Sequence, residues 1–245
     1  MQILIANDDG IYSPGILALA EVARQFGDVR IVAPDVEQSS MGHAITATRP
    51  LSYRRTPIKD FEAYRVNGTP ADCVALGAHN WDKVDIVFSG INLGTNLGSA
   101  VWHSGTLAAA KQAVLLGLRG IAFSTSVTDS EPDFEYLKPY ISKVIEVLLP
   151  DTALHLVNVN LPNDPKGIRW TRQSVRHYDG KVVPGVDPMG RKHFWYTVTP
   201  VEGAEEGTDR WAMEHDFVSM TPLRLDLTNE EELAEAKKRH QLQDK

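Results

Sequence analysis

Met1-Gln-Ile-Leu-Ile-Ala-Asn-Asp-Asp-Gly-Ile-Tyr-Ser-Pro-Gly15 is the stretch that decides the fold. Ile3, Leu4 and Ile5 form an unbroken apolar run, which suits a strand covered on both faces, as in a parallel sheet. Asn7-Asp-Asp-Gly10 stops the run as a turn. Ser13 then suits a helix N-cap, and Pro14 the first helical position, where a missing N–H costs nothing. Ile16, Leu19, Ala20, Ala23 and Phe26 recur at helical spacing, and Val29-Arg-Ile-Val-Ala-Pro34 reads as a second strand. The chain thus opens with a βαβ unit, whose crossover is right-handed. Asp8 and Asp9 fall just past the carboxyl end of its first strand, where open α/β sheets bind ligands. Two adjacent carboxylates hinder each other's ionisation unless a cation compensates. A solvated turn accounts for most Asp-Asp pairs; at this position the pair points to a metal ion.

Strands and helices keep alternating up to about residue 165. Val84–Ser89, Arg119–Ser124 and Leu154–Val159 read as buried strands, and 107–118 and 134–149 as helices. The expected fold is α/β, a Rossmann-like, mostly parallel sheet with helices on both faces. Three shorter pieces, 44–48, 51–53 and 63–66, read as strands of a side hairpin. Beyond residue 165 the pattern changes. Arg169–Gln173 and His193–Val198 are aromatic-rich strands around a turn-prone segment, Asp179–Gly190, and Glu230–Gln243 is a charged terminal helix. Such an arm has little core of its own and is expected to pack on another subunit. The expected organisation is therefore a catalytic core over 1–165 and a C-terminal extension over 166–245, integrated into one domain.

The 245 residues, 42% apolar and 23% charged, suit a globular protein with a substantial core. No apolar run approaches a membrane span and no basic-then-apolar leader is present, so a cytoplasmic protein without a membrane partner is expected. The lone Cys73 excludes an internal disulfide and reads as a buried structural thiol. A net charge of −7 argues against a nucleic-acid polymer as partner. An anionic substrate must then be attracted locally. The eight histidines lack the paired spacings of a zinc site. The dinucleotide fingerprint, the phosphate-loop lysine and the Gly-x-Ser-x-Gly elbow are also missing.

Oxygen-bearing residues instead recur at the carboxyl ends of successive strands. Asp35–His43 after the second strand offers Ser39 or Ser40. Gly90-Ile-Asn-Leu-Gly-Thr-Asn-Leu-Gly98 offers Asn92, Asn96 and close backbone approach. Ser104-Gly-Thr106 opens a helix and resembles an anion cradle. Each has an ordinary alternative: loop capping, a structural glycine turn, a helix N-cap. Parallel order brings them to one edge, and two carboxylates, a hydroxyl and an amide suit Mg²⁺ or Mn²⁺. His43 and His103 lie in the same loops as candidate substrate contacts.

Asn7–Gly10 with Pro14-Gly15, Ala33-Pro-Asp35 then Ser39, Gly68-Thr-Pro-Ala-Asp72, Ser89–Asn92 with Gly94 and Asn96–Gly98, Ser104–Thr106, Thr221-Pro222 and Asp226–Thr228 together resemble the stationary-phase survival protein SurE family over nearly the whole chain. That resemblance implies a metal-dependent phosphatase of the 5′-nucleotidase type. It would act on nucleoside 5′-monophosphates, sometimes 3′-monophosphates, with short polyphosphate as a further substrate in some members. It also implies C-terminal extensions exchanged between subunits in a homodimer or homotetramer. By the same resemblance Asp8, Asp9, Ser39 and Asn92 match the ligands of one divalent metal ion per subunit. Asn96, Ser104, Gly105 and Thr106 match phosphate-site positions, and His43 lies in a variable substrate loop. Direct hydrolysis follows, with Asp8 or Asp9 receiving the water's proton. The rival readings are a non-catalytic nucleotide-binding regulatory module on the same sheet, or a phosphatase acting mainly on short polyphosphate.

Overall fold

The structure, a computed structural model, describes residues 1–127, 132–175, 178–201 and 203–240, with the backbone alone at Tyr178, Asp179, Val198 and Pro200. β1 (Gln2–Ala6), α1 (Pro14–Ala23) and β2 (Asp28–Pro34) form the expected opening unit. Ser13 caps α1 by accepting from the Ile16 N–H at 3.4 Å, with Pro14 following. β3 (Tyr53–Arg55), β4 (Glu62–Val66), α2 (Pro70–His79), β5 (Ile86–Leu93), α3 (Gly105–Leu115), β6 (Arg119–Thr125), α4 (Phe134–Leu148) and β7 (Leu156–Leu161) continue the chain. β8 (Gly167–Trp170), β9 (Tyr178–Val186), β10 (Lys192–Pro200), α5 (Asp209–Glu214), β11 (Phe217–Pro222) and α6 (Glu230–Arg239) complete it.

Nine strands form one sheet in the order β3-β4-β2-β1-β5-β6-β7-β11-β8. From β4 to β7 every pairing is parallel. The chain moves outward from β1 to β2 and β4, then returns through α2 to β5 on the other side of β1. That reversal makes the β1/β5 crevice a topological switch point, where such sheets bind ligands. α1 and α4 cover one face, with Ile3, Ile5, Phe88, Phe123 and Val157 beneath them. α2 and α3 cover the other, over Leu4, Val32, Val87 and Ala122. Helices on both faces of a mostly parallel sheet are as expected.

The chain beyond 165 is more tightly joined to this sheet than its composition suggests. β11 inserts antiparallel to β7 and parallel to β8, so the segment read as an arm strand near 169 is a sheet edge. Val218 and Met220 reach the core while Ser219 and Thr221 face the other way, a period-two alternation. Two other expectations need correction. Residues 44–48 form no strand. They are pinned in place by the α2 cap, with the Thr46 N–H donating to Asp72 Oδ1 at 3.0 Å and the Thr69 hydroxyl to the Ala44 carbonyl at 2.8 Å. The turn-prone segment 179–190 is mostly β9, paired antiparallel with β10 along its length. Gly180, Pro184 and Gly185 disguise a strand whose Val182, Val183 and Val186 are β-branched. Phe194, Trp195 and Tyr196 on this hairpin are all about two-thirds exposed. Of the terminal helix, 230–239 is helical; residues 241–243 lie outside the described residues.

No helix among the described residues is long and apolar enough to cross a membrane. Cys73 is fully buried and burial pushes its thiol well up, the state of an unreactive core sulfur.

Candidate active site

The turn after β1 is shaped by Asn7, whose Nδ2 donates to the Gly10 carbonyl at 3.0 Å and to Ser13 Oγ at 2.9 Å. It presents Asp8 inward, 4% exposed, and Asp9 beside it. The start of α3 abuts this turn. Ser104 caps the helix, accepting from the Leu107 N–H at 3.0 Å. The Thr106 hydroxyl donates to Asp8 Oδ1 at 2.6 Å, and its backbone N–H also hydrogen-bonds that carboxylate. The positive helix start read as an anion cradle therefore holds one of the protein's own anions first. Gly105 permits this approach, since a Cβ there would lie 2.7 Å from Asp8 Cβ.

The other loops converge on the same place. The Gln38 N–H donates to the Asp8 carbonyl at 2.8 Å, which ties the Ser39 loop to the acidic pair. Ser39 gives its hydrogen to Glu37 Oε1 at 2.6 Å, leaving its oxygen lone pairs for another partner. β5 carries a bulge between Ser89 and Asn92, with Gly90 at φ +131° against the backbone of Phe123. Asn92 Nδ2 donates to the Gly94 carbonyl at 2.6 Å, so its Oδ1 is the atom left to bind a ligand. The Leu93 N–H donates to Asp9 Oδ2 at 3.3 Å.

Asp8, Ser39, Asn92, Asn96 and Ser104 line one open cavity of about 570 Å³, with Ser40, Leu93, Gly94, Thr95, Ala100, His103 and Tyr196. His43 lies elsewhere: its Nε2 meets Gln112 Oε1 on α3 at 2.9 Å, and the Gly42 N–H beside it donates to the His103 carbonyl at 2.9 Å. It anchors the loop, and His103 faces the cavity. Thr106 and Gly105 act from behind, on Asp8. Asn96 is 7% exposed, and its Nδ2 donates to Ser124 Oγ at 2.8 Å and towards Thr106 Oγ1 at 3.4 Å. Both amide hydrogens are thus committed within the protein. Tyr196 and Glu37 were not singled out from the sequence. Tyr196 comes from β10 in the hairpin, distant in sequence from every other lining residue. Glu37 sits in a loop read for its serine.

Burial raises the Asp8 carboxyl above its ordinary range, against the Thr106 hydrogen bonds. Asp9 is pushed up to about 7, first by burial and then by the charge of Asp8. Among the described residues no lining side chain is Lys or Arg. Two carboxylates that resist ionisation, a hydroxyl and an amide oxygen fit a hard divalent cation, which removes their mutual repulsion. Among the described residues no group of three or more His, Cys, Asp or Glu side chains is placed to hold a metal. A pH dependence follows. Asp9 ionises near pH 7 when folded and near 3.8 when unfolded, so its protonated form favours the folded state at low pH. That contribution is lost as pH rises through 7. Without metal, melting temperature should fall between pH 5 and pH 8 more steeply in wild type than in Asp9→Asn. Equal slopes would contradict the assigned burial.

Residues 3–180 match the family model described as Survival protein SurE. The 5′-nucleotidase SurE 1 of Thermus thermophilus is 46% identical over 236 residues, 93% of either chain. The 5′-nucleotidase SurE of Deinococcus radiodurans is 44% identical over 238 residues, covering 93% of this chain and 88% of that protein. The crystal structure of the SurE protein from Aquifex aeolicus superposes with a TM-score of 0.85 at 39% identity, covering 98% of this chain and 99% of the other. The match runs from β1 into the hairpin and includes the turns that build the cavity, and on these likenesses the chain belongs to the SurE family.

Proposed function

We propose that the protein is a metal-dependent 5′-nucleotidase, releasing inorganic phosphate and a nucleoside from nucleoside monophosphates by direct attack of water. The observation that carries this reading is the Asp8–Asp9 pair, whose carboxyls are raised by burial, with Asp8 lining a cavity that holds no Lys or Arg among the described residues. A site that only bound an anion would gain nothing from two carboxylates unless a cation stood between them. Relatives over 40% identical across most of the chain carry the name 5′-nucleotidase.

Asp8, Asp9, Ser39 and Asn92 would hold one Mg²⁺ or Mn²⁺ ion. When bound, the ion neutralises phosphoryl oxygens and lowers the pKa of a water. Asp9, with Oδ2 held by the Leu93 N–H, receives the proton of the attacking water. Asp8 is gripped by Thr106, whose hydroxyl and N–H favour its ionised form against the burial that raises it. Ser104, which lines the cavity at the start of α3, would meet the phosphate, and Asn96 supports that wall through Ser124 and Thr106. The open side, with His103, Leu93 and Tyr196, receives the nucleoside. Tyr196→Ala is expected to raise KM for a nucleoside monophosphate about tenfold, the scale of one base–aromatic stack, with kcat little changed. Equal KM values would remove Tyr196 from the substrate site.

The extension over 166–245 is read as the subunit-joining part of one integrated domain. Phe194, Trp195, Val182 and Val186 on the hairpin expose apolar surface suited to a second copy, in a homodimer or homotetramer. A cytoplasmic location agrees with the single, buried, unpaired thiol. The test is phosphate release from nucleoside 5′- and 3′-monophosphates and short polyphosphate, with Mg²⁺ or Mn²⁺ and again with chelator. Release that needs metal is expected. Nucleotide binding without release would favour the regulatory module.

A further inference from the structure

On the α2/α3 face of the sheet, β7 changes character along its length. Leu156 packs among apolar side chains, but the next two positions on that face, Asn158 and Asn160, are 1% and 0% exposed. β6 makes the same change from Ala122 to Ser124, and β11 sets Ser219 and Thr221 opposite Asn160 and Asn158. A buried polar layer of this kind is costly unless its groups find partners.

The partners of the two asparagines lead to a single residue. Asn160 Oδ1 accepts from the Asn96 N–H at 2.8 Å, and Asn160 Nδ2 donates to the Asn96 carbonyl at 3.2 Å. One side-chain amide thus pairs with both backbone groups of residue 96, as a neighbouring strand would. Asn158 Nδ2 donates to the same carbonyl at 2.7 Å. Beyond this clamp the Asn96 side chain reaches Ser124 and Thr106, and the Thr106 hydroxyl ends on Asp8. Donor meets acceptor at each step, which leaves the Thr106 hydrogen one orientation, towards Asp8 Oδ1. Asn158 Oδ1 is buried with no partner among the described residues, a cost that a leucine at this position would avoid. Ser219 and Thr221 differ from the asparagines: they bond Thr171, at 2.8 and 2.7 Å.

We propose that Asn158 and Asn160 are positioning residues for the metal site. By clamping the backbone of Asn96 they fix the loop that follows Asn92 at the end of β5 and, through Thr106, the carboxylate of Asp8. This rests on the nucleotidase reading for the ion's use, while the clamp itself is judged by ion binding. Outer partners of metal ligands typically contribute tenfold to a hundredfold in affinity.

The test compares Asn158→Leu and Asn160→Leu with Ser219→Ala and Thr221→Val from the same polar layer. Mn²⁺ affinity is measured by titration, kcat and KM by phosphate release, and folding by melting temperature. Expected is a tenfold or greater rise in the Mn²⁺ dissociation constant and a matching fall in kcat for the asparagine variants alone. Their melting temperature without metal should stay within the range spanned by the two controls. Ser124→Ala, a milder change on the same chain of bonds, should weaken Mn²⁺ binding about threefold and covers the case of an asparagine variant that does not fold. Unchanged Mn²⁺ affinity in a folded asparagine variant or in Ser124→Ala, or equal losses in the controls, would overturn the proposal. A wild type that binds Mn²⁺ but releases no phosphate would defeat the nucleotidase reading and leave the affinity comparison to decide the clamp. A wild type that takes up no Mn²⁺ would overturn both.

Discussion

Asp9→Asn is expected to lower phosphate release by about a thousandfold or more while making the metal-free protein more stable at pH 8. The two effects have one cause. Asp9 is ionised at pH 8 against burial and the neighbouring Asp8, which is why its carboxyl is raised to about 7. An amide of the same shape removes that penalty, so the melting temperature without metal rises. The amide cannot accept a proton, a role that general-base catalysis values at about 10²–10⁴ in rate, and it is a poorer ligand for a hard cation. Wild type should be stabilised by Mn²⁺ according to its occupancy, and the variant far less. Phosphate assays and melting curves with and without Mn²⁺ check both halves. A variant that keeps turnover, or one that is less stable without metal, would contradict the role given to Asp9.

Gly105→Ala should cost about a hundredfold in turnover although it adds one methyl group at a residue that does not itself line the cavity. The new Cβ would meet Asp8 Cβ at 2.7 Å and Oδ2 at 2.8 Å. Neither atom is the free end of a long side chain, because Asp8 is buried and its carboxylate is held by Thr106. Either the carboxylate or the first turn of α3 must move, and each displaces the donor set. Overpacking of this kind also costs about 1–3 kcal/mol of stability. Kinetics, Mn²⁺ titration and denaturant unfolding report the three consequences. Full activity with unchanged Mn²⁺ affinity would mean that the contact between α3 and Asp8 does not set the site.

How much of this could be read from the chain depended on how local the determining interactions are. β1, α1 and β2, and the cap at Ser104, were legible because an apolar run, a turn cluster, a capping residue and a helical repeat all lie within a few residues of one another. The acidic pair was legible by its position after the first strand. β11 was not, since its six residues gain their meaning only from β7 and β8 on either side. β9 was hidden by Gly180, Pro184 and Gly185, whose turn preference is overridden by pairing with β10. His43 was read as a substrate contact because its loop points that way, but Gln112 on α3 takes its ring. The clamp on Asn96 joins residues more than sixty positions apart, and no spacing in the chain announces it.

The central claim is that Asp8, Asp9, Ser39 and Asn92 together hold one divalent ion per subunit. A crystal structure of the protein grown with Mn²⁺, with anomalous data collected at the manganese edge, tests it most directly. One anomalous peak per subunit, with oxygen atoms of these four residues around it at about 2.1–2.3 Å, close to the distances of hard-cation sites, is the predicted result. No peak in that crevice at saturating Mn²⁺, or a peak bound by other residues, would contradict the account.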